Sequence, residues 1–87
     1  MFNRDLMVNA LSKDVAQAAM RLVDRLQNYP APIQSVSVAA LFLTVCQVHG
    51  VQPQDVFTVA KNMMADTIHG QRDEFRALQM YAKHELA

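Results

Sequence analysis

Apolar residues recur along this chain at every third or fourth position rather than every second one, the period of helices that bury one face. Leu11, Val15, Ala18, Ala19, Leu22 and Leu26 share one side, while Lys13, Asp14, Gln17, Arg21, Asp24, Arg25 and Asn28 fill the other. Asn3 can cap the start of this amphipathic helix and Ser12 offers a second start, so it is read as one helix over 4–28, with a break near Ser12 as the alternative. Pro30 and Pro32 each remove a backbone donor and push the preceding residue away from helical angles, which predicts an end there.

A second helix is predicted over 36–49, capped by Ser35 or Ser37 and closed by Gly50 as a left-handed terminator. Ala39, Ala40, Leu41, Phe42, Leu43, Val45, Cys46 and Val48 occupy nearly every side of it. That pattern places it at the centre of a bundle. The third helix, 53–69, starts sharply, with Pro53 in its first turn, Asp55 beside the positive end of the dipole and Val51 able to pack on Val56. Its apolar residues form two stripes: Val56, Val59, Ala60 and Met63 in one, Phe57, Met64 and Ile68 in the other. Gly70 is expected to close it. The fourth helix, 71–86, carries Asp73 and Glu74 in its first turn, Lys83 and His84 in its last, and an inward stripe of Phe75, Leu78, Ala82 and Leu86. The predicted fold class is all-α, a compact bundle of four helices forming one domain over 1–87.

Length supports a single core, because 87 residues leave no room for a second. Eight basic and eight acidic side chains cancel, so no overall field draws the chain to nucleic acid or an anionic membrane. The most apolar run, Val36 to Val48, falls short of the roughly 18 to 20 residues that cross a bilayer, and it is read as a core helix. The polar start and the lone Cys46, which can form no internal disulfide, lead to the expectation of a cytoplasmic protein.

The stretch Phe42 to Lys61, FLTVCQVHGVQPQDVFTVAK, resembles the DNA-reading helix-turn-helix in its small residue Cys46, its Gly50 at the turn, and the apolar Val45, Val51, Val56 and Val59. The resemblance implies a small DNA-binding regulator using residues 42–61. Charge argues against it, since Lys61 is the only cation on the helix that would enter the groove. Cys46 with His49, and Asp66 with His69, are three apart on helices, and His84 adds a fifth candidate ligand. Structural zinc needs four converging ligands, and a histidine just before a glycine fits the negative end of a helix, so no metal is expected. Cys46 has His49 one turn away, yet its apolar neighbours predict a buried, inert thiol. Asp73 and Glu74 are adjacent and point apart, and no glycine-rich loop exists to hold a phosphate. No enzyme activity, cofactor or small-molecule substrate is expected.

Six methionines remain, Met1, Met7, Met20, Met63, Met64 and Met80; such side chains fill cores or line adaptable surfaces. Met20 and Met63 suit the core. Phe57, Met64, Ile68, Met80 and Tyr81 are harder to bury in one small bundle and are the candidate protein interface. The functional expectation is a non-enzymatic interaction or regulatory module, a homodimer or the binder of another protein, with nucleic acid and membrane not expected as partners.

Overall fold

A computed structural model describes residues 12–65, 70 and 72–86. The described residues contain four helices and no strand: α1 (Ser12–Leu26), α2 (Ala31–His49), α3 (Pro53–Met64) and α4 (Asp73–Leu86). The all-α, four-helix class read from the sequence is the one observed. Residues 4–11 of the predicted first helix lie outside the described residues.

α1 and α4 form the best-buried part of the fold. Among the described residues four side chains are buried: Ala16 and Val23 of α1, Phe75 of α4 and Cys46 of α2. The inward line on α1 is Ser12, Ala16, Ala19, Val23 and Leu26, spaced four, three, four, three; Val15 and Leu22, expected inside, are exposed. The face is rotated by about one position, a shift of roughly 100°. Small residues at 16 and 19 let a neighbouring helix approach closely. Two polar links join the pair: the Ser12 hydroxyl donates to Glu74 Oε1 at 2.6 Å, and the Tyr81 hydroxyl donates to Asp24 Oδ1. Both pair an early residue with an early one or a late with a late one, so α1 and α4 run in the same general sense. On α4 the inward stripe is as predicted, with Phe75 buried and Leu78, Ala82 and Leu86 partly so.

α2 begins five residues earlier than expected, at Ala31 rather than 36. Pro30 is its N-cap at φ −65°, ψ 155°, and Pro32 sits in the first turn. A proline there costs nothing, because first-turn N–H groups have no helical acceptor. The same prolines that end one helix therefore open the next. Ser35 does not cap; its hydroxyl donates back to the Ala31 carbonyl. The corner is held instead by Gln34, whose amide donates to the Tyr29 carbonyl at 2.6 Å and the Leu26 carbonyl at 3.2 Å. Gly50 closes α2 as predicted, at φ 66°, ψ 33°. The Val51 N–H reaches the Cys46 carbonyl and the Gly50 N–H the Gln47 carbonyl, the paired bonds of a Schellman motif.

α3 opens on Pro53, with Gln52 as N-cap, and ends at Met64, not at 69. Ala65 leaves it at φ −66°, ψ 148°. Alanine is the best helix former, so local propensity does not set this end. Gly70 has a positive φ of 85° but stands apart from the helix it was expected to close. α4 starts at Asp73 rather than 71, its first turn anchored by Phe75 and Arg76 N–H groups on the Arg72 carbonyl.

The largest correction concerns α2, which does not occupy the centre. Cys46 is its only fully buried residue, and Val36, Val38, Leu41, Leu43, Val45 and Val48 are all exposed. The molecule is correspondingly flat, 34 × 34 × 17 Å, with a radius of gyration of 13.6 Å.

Candidate interaction surface

A 19-residue helix without one Asp, Glu, Lys or Arg calls for cover, and the described residues cover little of α2. Positions along α2 sort by angle into four sides at 100° per residue. Ala39, Phe42 and Cys46 make one side, containing the buried cysteine and the half-buried Phe42. Opposite them lie Ser37 and Thr44, the latter with its hydroxyl on the Ala40 carbonyl at 2.8 Å. One flank carries Val38, Leu41, Val45 and Val48, and the other Ile33, Val36, Ala40 and Leu43. Both flanks are apolar and open.

The five residues singled out from sequence are distributed unevenly. Phe57 of α3 and Met80 of α4 are exposed large apolar groups. Met64 is half-buried. Tyr81 is half-buried and its hydroxyl is engaged by Asp24, so it joins α4 to α1. Ile68 lies outside the described residues. The sequence reading missed the α2 flanks because an all-round apolar helix was assumed to be enclosed by its neighbours. The available signal was the seven-residue spacing of Val38 with Val45 and of Leu41 with Val48.

No protein-family model, curated protein or solved structure matches the chain. Its chemistry must be judged from the site alone.

Polar groups offer little for catalysis or ligand capture. Among the described residues no three His, Cys, Asp or Glu side chains converge on a point that could hold a metal. Asp66 and His69 of the candidate ligand set lie outside those residues. Cys46 is buried and unpaired. α2 and α3 are joined by the three residues Gly50, Val51 and Gln52, a helix–turn–helix connection. On α3, however, the Gln54 amide donates to the Thr58 hydroxyl and that hydroxyl to the Gln54 carbonyl, so the polar side chains of its outer face bond each other. Among the described residues two groups have displaced protonation equilibria, both at the α1–α4 junction. The Ser12 hydroxyl bonded to it holds the Glu74 carboxyl below its usual value. The hydrogen bond to Asp24 raises Tyr81 above the usual phenol value, with desolvation adding to the effect.

Proposed function

We propose that the protein is a non-enzymatic, self-associating helical module, working as a homodimer whose assembled surface engages or regulates another macromolecule. The observation that carries this is the open apolar surface of α2, where Ile33, Val36, Val38, Leu41, Leu43, Val45 and Val48 are all exposed. Exposed apolar patches of more than a few hundred Å² are rare on monomers and mark interaction sites. Association through such a surface supplies the apolar burial that a chain of this length lacks on its own.

Light scattering coupled to size exclusion tests the reading directly. The expected mass is twice the 9.8 kDa of the chain, falling toward the single-chain value only on strong dilution. A single-chain mass at every concentration refutes it. Tight, salt-sensitive and sequence-selective binding of duplex DNA that weakens in Lys61→Ala would replace it with the regulator reading, because phosphate neutralisation by cations gives that salt dependence.

A further inference from the structure

We draw no further inference here: the strongest candidate, the open apolar patch on the two flanks of α2, carries nothing because both flanks repeat the same spacing on an uncharged helix and nothing in the structure shows what covers it.

Discussion

Truncating Phe75 to alanine should remove the α1–α4 junction as a stable unit. The ring is 1% exposed and is the largest fully buried side chain, so its deletion loses the whole transfer term and leaves a cavity behind. Such Phe→Ala changes cost about 3–5 kcal/mol. The chain has 87 residues, and at about 0.05–0.15 kcal/mol per residue its total stability is roughly 4–13 kcal/mol. One substitution therefore consumes about a quarter of it or more. Relaxation cannot shrink the cavity much, because the buried residues of the α1 face, Ala16 and Val23, are short and carry no flexible ends to fill it. Leu22→Ala provides the comparison: at 50% exposure it should cost about 1 kcal/mol, well below the 2–5 kcal/mol of a buried leucine. Urea titrations followed by circular dichroism, at fixed protein concentration, measure both. A Phe75→Ala cost under about 1 kcal/mol, or a Leu22→Ala cost equal to it, would refute the rotated face of α1 and restore the one read from periodicity.

The same junction should respond to pH from both sides. Glu74 is depressed when folded, so the stabilisation from its bond to Ser12 is present above the usual carboxylate value of 4.5 and lost as pH falls through the folded value. Tyr81 is raised when folded, so its contribution is present below the usual phenol value of 10.0 and lost as pH rises through the folded value. Glu74→Gln should flatten the acid limb of a plot of melting temperature against pH, and Tyr81→Phe the alkaline limb; unchanged limbs would remove these links from the stability of the pair. Cys46, 2% exposed, should react with a thiol reagent slowly in the folded protein and fast in denaturant, and fast labelling of the folded chain would show that α2 does not hold it covered.

Which parts of this fold were legible depended on whether a signal was local. Helix type, the Schellman end at Gly50, the start at Pro53 and the inward stripe of α4 all arise from residues within a turn or two of one another, and each was readable. The start of α2 was misread because Pro30 and Pro32 carry two opposite meanings: they terminate the helix behind them and suit the first turn of the helix ahead. The α1 face was misread because Val15 and Leu22 outrank Ala16 in hydrophobicity, whereas close approach of α4 favours the smaller residue. The position of α2 was not legible at all. Apolar residues on every side say that a helix must be covered, not whether its own chain or another one does it. The candidate interface inherited that error: Phe57 and Met80 were found by asking what one small bundle cannot bury, but the question was put to α3 and α4 after α2 had been set aside as core.

Extending α2 back to Ala31 also removes the length argument against a membrane span, since 19 uncharged residues rise about 28 Å, close to the 30 Å of a bilayer's hydrocarbon core. Topology supplies a stronger argument. α1 precedes α2 and α4 follows it, yet α1 and α4 are bonded together through Ser12–Glu74 and Tyr81–Asp24 and share the buried Phe75. Were α2 to span, these helices would begin on opposite faces of the membrane. Only α3 and the segment after it could bring the chain back. The 12 residues of α3 rise about 18 Å and carry Asp55 and Lys61, too short and too charged for the return, and a non-helical return would leave backbone groups unpaired in lipid. A span therefore costs the best-buried contact in the molecule, whereas pairing with a second copy costs none of it. The expected outcome of flotation with neutral phosphatidylcholine vesicles is that the full chain stays in the dense fraction as a dimer, with Phe75→Ala the variant most prone to float because it has least α1–α4 packing to lose. Flotation of the wild-type chain with helicity retained and Cys46 protected from a water-soluble thiol reagent would reverse the assignment, making lipid and not a second copy the cover of α2.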